Sequence, residues 1–168
     1  VIVKNKFPVS VIQPDGTTEY FPSVDDGIDA ANKDINSTLK LLMDILLNST
    51  LTFNGTTTLD LNGKNVAIDD DYNHTVVVDE GASLDIIDTK SNGTIGGGGV
   101  AVNNGTLNFN GGAVESTMDG IYNNGGNVTV NGGAISSGDG YDEADSLITM
   151  NLSTYTNSRV SNIRQGAF

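Results

Sequence analysis

Apolar and polar residues alternate along most of the chain in short runs closed by Asn, Gly, Asp or Ser. Leu51-Thr-Phe53, Leu59-Asp-Leu61, Leu84-Asp-Ile86, Leu107-Asn-Phe109 and Val128-Thr-Val130 put every second side chain on one face, the period of a half-buried strand. Between Gly99 and Gly140 the pattern is copied. Gly99 to Ser116 is followed, 21 residues later, by Gly120 to Ser137, with Gly99, Asn103, Gly105, Asn110, Gly111, Gly112, Ala113 and Ser116 recurring unchanged. A fixed short period of this kind predicts a solenoid. Val100, Val102, Leu107 and Phe109 are then expected to stack beneath Ile121, Asn123, Val128 and Val130 at about 4.8 Å per coil. Asn110 with Asn131, and Asn103 with Asn124, are expected to form amide ladders at the corners. Asn123, standing where the previous coil has Val102, either weakens that register or marks a turn.

Outside the double repeat the pattern continues less regularly. Val9, Val11 and Ile12, then the turn signal Gln13-Pro-Asp-Gly16, then Thr17 to Phe21, read as an edge hairpin or extended arm over 1–21. Residues 22–37 carry a helix start. Ser23 can cap free amides, Asp25, Asp26 and Asp29 suit the positive end, and Val24, Ile28 and Ala31 share a face despite Gly27. Such a helix serves to cover an open end of the solenoid. The dense segment Leu39 to Leu47 is assigned to strands, because it is short and runs directly into alternating residues. The repeats span 38–153, with a further strand at Leu147 to Leu152. Residues 154–168 form a polar tail or cap that lacks the pattern.

Composition narrows the partners. Eight Lys plus Arg against 21 Asp plus Glu give a net charge of −13, which repels nucleic acid and anionic membrane surfaces and leaves a cation or a neutral polymer. With 21 glycines and 6% aromatic residues the chain is ill suited to a helical or sandwich core. It has no cysteine and no apolar run of membrane-spanning length. It begins at Val1, so any signal peptide is expected to have been removed or to lie outside this chain.

Leu59-Asp-Leu-Asn-Gly-Lys64, the repeated Asn-Gly-Gly-Ala-(Val/Ile), and Gly120-Ile-Tyr-Asn-Asn-Gly-Gly126 resemble the parallel β-helix modules of secreted or surface-attached bacterial adhesin-like proteins in the pectate-lyase-like superfold. Asp26-Gly-Ile-Asp-Ala-Ala31 and Leu39-Lys-Leu-Leu-Met-Asp-Ile45 resemble the opening of such modules. The likeness covers Pro22 to Gly140. It implies an all-β fold, a right-handed parallel β-helix (β-solenoid) of about five to six coils with a short N-terminal capping helix, secreted or at the cell surface. It implies little about activity, because this superfold hosts lyases, hydrolases, adhesins and tailspikes alike.

Candidate chemistry lies mainly where the repeat breaks. Asp60 and Asp85 take equivalent outward places on successive coils, with Asp88 nearby, either as a solvated face or as a carboxylate pair that holds a cation. Asp69, Asp70 and Asp71, and later Asp142, Glu143 and Asp145, offer calcium-type oxygen density without the spacing of a known calcium loop, so the cofactor expectation is none beyond weak calcium. Tyr122, facing outward, with Tyr72 and Tyr141 in corners, are the candidate sugar-stacking residues. His74 is the single histidine and lies near no nucleophile motif. Eight Asn-x-Ser/Thr triplets begin at Asn36, Asn48, Asn54, Asn73, Asn92, Asn104, Asn127 and Asn151. Corner chemistry accounts for most of them unless the source glycosylates.

Three functions remain open. The leading one is a non-catalytic extracellular module of a surface structure, contacting a glycan or a host surface. The second is a filament subunit joined to itself through its terminal arms. The third is a calcium-dependent polysaccharide lyase or hydrolase using Asp60, Asp85 and Asp88.

Overall fold

The structure, a computed structural model, describes residues 7–69 and 73–137 and, as backbone strands, 148–151 and 164–165. The chain opens with β1 (Val9–Ile12) and β2 (Thr18–Phe21), an antiparallel hairpin whose turn is held by Asp15 accepting from Thr17 N at 2.8 Å. Helix α1 (Val24–Lys33) follows. Ser23 Oγ accepts from Asp26 N at 3.1 Å and donates to the Asp26 carboxylate at 2.7 Å, so the capping signal in the sequence is made as expected.

The remainder winds into stacked coils of three short strands. The first coil is β3 (Ser37–Leu41), β4 (Ile45–Leu47) and β5 (Leu51–Phe53); the second is β6 (Thr56–Asp60), β7 (Asn65–Ile68) and β8 (Val76–Val78). The third is β9 (Ser83–Ile87), β10 (Thr94–Gly97) and β11 (Val100–Asn103), and the fourth is β12 (Thr106–Phe109), β13 (Ala113–Ser116) and β14 (Ile121–Asn124). The fifth is β15 (Asn127–Val130), β16 (Ala134–Ser136) and β17 (Ile148–Asn151), with β18 (Arg164–Gln165) parallel to β17. First, second and third strands of each coil form three separate sheets, here A, B and C, and the strand ladders between coils are parallel. The described residues thus form an all-β solenoid of about five turns with one short helix.

Alternation within each strand sends one face inward, and registered pairing stacks those side chains into columns. In sheet A the column is Leu39, Leu59, Ile86, Phe109 and Val130; in sheet C it is Leu51, Val76, Val100 and Ile121, all buried. The expected stacking of Val100 on Ile121, Val102 on Asn123, Leu107 on Val128 and Phe109 on Val130 is present. So is the amide ladder at one corner, where Asn131 Nδ2 donates to Asn110 Oδ1 at 2.8 Å. Asn123 is fully buried, and both ends of its amide bond the backbone of Gly126, accepting from N at 2.9 Å and donating to O at 3.1 Å. The polar residue in the column is therefore the inner brace of a turn, where Val102 one coil earlier only packs.

The N-terminal end is closed on two of its three sides. The hairpin adds to sheet A antiparallel, β1 pairing with β3. Helix α1 lies against β1, β3 and β5. Gly27 permits this approach, since a Cβ there would run into the side chain of Val9. At the end of the helix the Ala31 carbonyl, which has no partner within the helix, accepts from the buried hydroxyls of Ser37 at 2.9 Å and Thr57 at 3.3 Å. Asn32 then acts as a short strand substitute along β5, donating to Thr52 O at 2.9 Å and accepting from Asn54 N at 3.1 Å. Sheet B has no such cover at this end among the described residues, and Leu46 on its edge strand β4 is 70% exposed. No helix among the described residues is long and apolar enough to cross a membrane.

Candidate functional site

Two of the carboxylates singled out in the sequence, Asp60 and Asp88, lie at the edge between sheets A and B, where the coils turn through Gly and Asn. Asp60 ends β6 facing outward, yet it is only 2% exposed. Its Oδ1 accepts from Asn62 N at 2.9 Å, Thr89 N at 3.1 Å and Thr89 Oγ1 at 3.1 Å, while Oδ2 accepts from Thr89 Oγ1 at 2.9 Å and pairs with Lys40 Nζ at 3.2 Å. Burial pushes this carboxyl up, but the hydrogen bonds from Thr89 and Asn62 and the Lys40 ammonium outweigh it and hold the group below its ordinary value of 3.8. It is an ionised staple joining three coils. Asp88, one coil on, does the same for the backbone: Oδ1 accepts from Gly63 N at 2.6 Å and Oδ2 from Gly93 N at 2.7 Å.

Asp60 and Asp85 are not equivalent positions, contrary to the expectation from sequence. Asp60 pairs with Ile87, and Asp85 pairs with Thr58 and then Asn108. Matching Leu59-Asp-Leu61 to Leu84-Asp-Ile86 is wrong by two residues. A shift of two leaves every side chain on the same face, so the alternation that identifies the strands cannot detect it. In place of an acidic pair there is an outward row Thr58, Asp85, Asn108, Thr129, in which Asn108 Nδ2 donates to Asp85 Oδ1 at 2.6 Å.

Beside the corner lies a groove of about 570 Å³ on the outer face of sheet B. Its floor is Gly112, Ala113 and Ala134, and Asp88, Thr94 and Glu115 supply polar groups. The corner over 88–93 is longer than those at 110–112 and 131–133, so it stands up as a wall. With Asp88 held by two amides, Glu115 is the exposed carboxylate of the groove and makes no hydrogen bond. An acid and base pair, which needs two carboxyls free to exchange protons, is not assembled by these two residues.

On sheet C, Tyr122 faces outward as expected, half-buried, and its ring stacks on His74 with centroids 5.7 Å apart and planes 13° from parallel. Ala101, the partner of Tyr122 on the third coil, is itself buried although its position faces outward. His74 Nδ1 lies 2.7 Å from Gly98 O; a carbonyl only accepts, so the proton is on Nδ1. Gly98 is forced by the same packing, because a Cβ there would collide with the backbone of Asn73 and His74. One face of Tyr122 is therefore committed to the protein.

Asp69 is exposed at the corner between sheets B and C. Asp70, Asp71, Tyr72, Tyr141, Asp142, Glu143 and Asp145 lie outside the described residues. Among the described residues no three His, Cys, Asp or Glu side chains converge as a metal site would need. Lys40, Thr89 and Glu115 were not foreseen as site residues. Thr89 and Lys40 are single polar residues whose meaning depends on the true coil lengths, and Glu115 acquires its groove only from the unequal corners.

No family model, curated protein or solved structure matches the chain. The solenoid assignment therefore rests on the strand register itself.

Proposed function

We propose that the chain is a structural and adhesive β-solenoid module of an extracellular surface protein, of the kind its repeats resemble, and that it acts without catalysis. The observation that carries this reading is the fate of its carboxylates. Asp60 is bonded by Thr89, Asn62 and Lys40, Asp88 by two backbone amides, and Asp85 by Asn108. Of the residues that would serve a lyase or hydrolase, Asp60 and Asp88 hold corners of the scaffold and Asp85 is tied to its neighbour on the next coil. The acidic surface and the groove floored by glycine and alanine favour an uncharged or weakly cationic polymer such as a glycan over nucleic acid or anionic lipid.

The test is a panel of soluble polysaccharides and immobilised glycans presented to the purified chain, scored for both binding and product formation. Saturable binding with the polymer recovered intact, unchanged by chelator and by Asp85→Asn, supports the module. Release of shortened or unsaturated sugar that disappears in Asp85→Asn overturns it in favour of the enzyme. The filament reading has weaker support, because the helix and hairpin close two of the three sheet edges at the N-terminal end. Size-exclusion chromatography of the full chain distinguishes the two, a concentration-dependent ladder of species pointing to the filament.

A further inference from the structure

Among the described residues, the asparagines of the Asn-x-Ser/Thr triplets differ in exposure and bonding from most of the others. Twenty asparagines with thirty serines and threonines in 168 residues give about four Asn-x-Ser/Thr triplets by chance, and the chain has eight. Seven of the eight asparagines are described, and all seven are exposed, against four of the nine described asparagines outside the triplets. Their hydrogen bonding differs in the same way. Outside the triplets, side chains such as those of Asn32, Asn62, Asn108, Asn123 and Asn131 brace strands and turns. Within them, the side-chain amides of Asn36, Asn48, Asn54, Asn92, Asn104 and Asn127 make no hydrogen bond in the fold.

Turn geometry covers only part of this. Asn36, Asn92 and Asn104 have φ of 64°, 67° and 54°, a conformation that asparagine tolerates and glycine would serve equally. Asn48, Asn54 and Asn127 are not among the residues with positive φ, so backbone strain does not select asparagine there. Their placement is also ordered. Asn36, Asn54, Asn104 and Asn127 lie along the edge between sheets C and A, and Asn48 and Asn73 along the edge between B and C, while Asn92 sits in the long corner that walls the groove.

We infer that the exposed triplets at Asn36, Asn48, Asn54, Asn92, Asn104 and Asn127 are N-glycosylation sites, and that the chain carries glycans along the two edges flanking sheet C and beside the groove; this rests on the extracellular reading above. The donor is a lipid-linked oligosaccharide phosphate. A bond forms between Asn Nδ2 and the anomeric carbon of the sugar, the bond from that carbon to the lipid phosphate breaks, and the phosphate leaves with one amide proton. An unbonded, outward amide accepts such a group without losing any contact of the fold.

The experiment is glycopeptide mass spectrometry on the protein purified from its own cells, run separately on surface and cytosolic fractions. A sugar mass on any of Asn48, Asn54, Asn92 or Asn104 in the surface fraction is the expected result. Protein recovered from the surface with all four unmodified overturns the inference and leaves the extracellular reading standing. Protein confined to the cytosol overturns both. Thr56→Ala, which removes an exposed hydroxyl that bonds nothing, is expected to lose one glycan mass at Asn54 with an unchanged circular dichroism spectrum. Retention of that mass would overturn the assignment of Asn54.

Discussion

Single residues decide how the corners are held. Asn123 replaces an apolar residue in a core column because its amide satisfies both the N–H and the C=O of Gly126. Asn123→Val restores the apolar column but leaves those two groups without partners, so a loss of about 1–3 kcal/mol is expected in urea unfolding. Asp60 gives the chain a pH dependence. Its folded value lies below 3.8, so its stabilisation is fully present above the unfolded value and is lost as pH falls through the folded one. Thermal melts between pH 6 and about pH 2 are expected to show a fall in stability concentrated below about pH 4, and Asp60→Asn is expected to be less stable at neutral pH with a shallower acid limb. An acid limb identical in the variant would show that other carboxylates carry it.

Among the elements, helix α1 and the corners show what was readable from sequence and what was not. The Ser23 cap, the hairpin over Val9 to Phe21 and the strand assignment of Leu39 to Leu47 follow from local signals that the fold leaves intact. The register of Asp60 against Asp85 does not, because alternation repeats every two residues and is blind to a slip of two. The double repeat escapes that ambiguity, since Asn110 and Asn131 recur with their flanking glycines and meet at 2.8 Å as expected. The groove was not legible, because it comes from the difference in length between neighbouring corners. Gly27 was legible only as an oddity in a helix. In an open helix Gly→Ala gains about 1 kcal/mol. Here the new methyl meets Val9, so Gly27→Ala is expected to destabilise by about 1–3 kcal/mol, and Val9→Ala in the same chain is expected to recover part of that loss. Additive effects in that double-mutant cycle would show that the two residues do not touch.

At the scale of the whole molecule, the coils bury one continuous set of columns, and Asp60 and Asp88 brace the corners of the first three. Columns of Leu, Ile, Val and Phe running from Leu39 to Val130 make each coil depend on its neighbours. Truncating Phe109, fully buried in the fourth coil, to Ala is expected to cost about 3–5 kcal/mol by chemical denaturation. A net charge of −13 on a body this size repels itself, and salt near physiological strength is expected to raise the melting temperature. The same charge and the engaged carboxylates underlie the reading of the chain as a surface scaffold. Protease shaving of intact cells, with mass spectrometry of the released peptides, tests that reading most directly. Peptides from the corner loops, freed while cytosolic markers stay inside, are the result it predicts; peptides that appear only after lysis would contradict it.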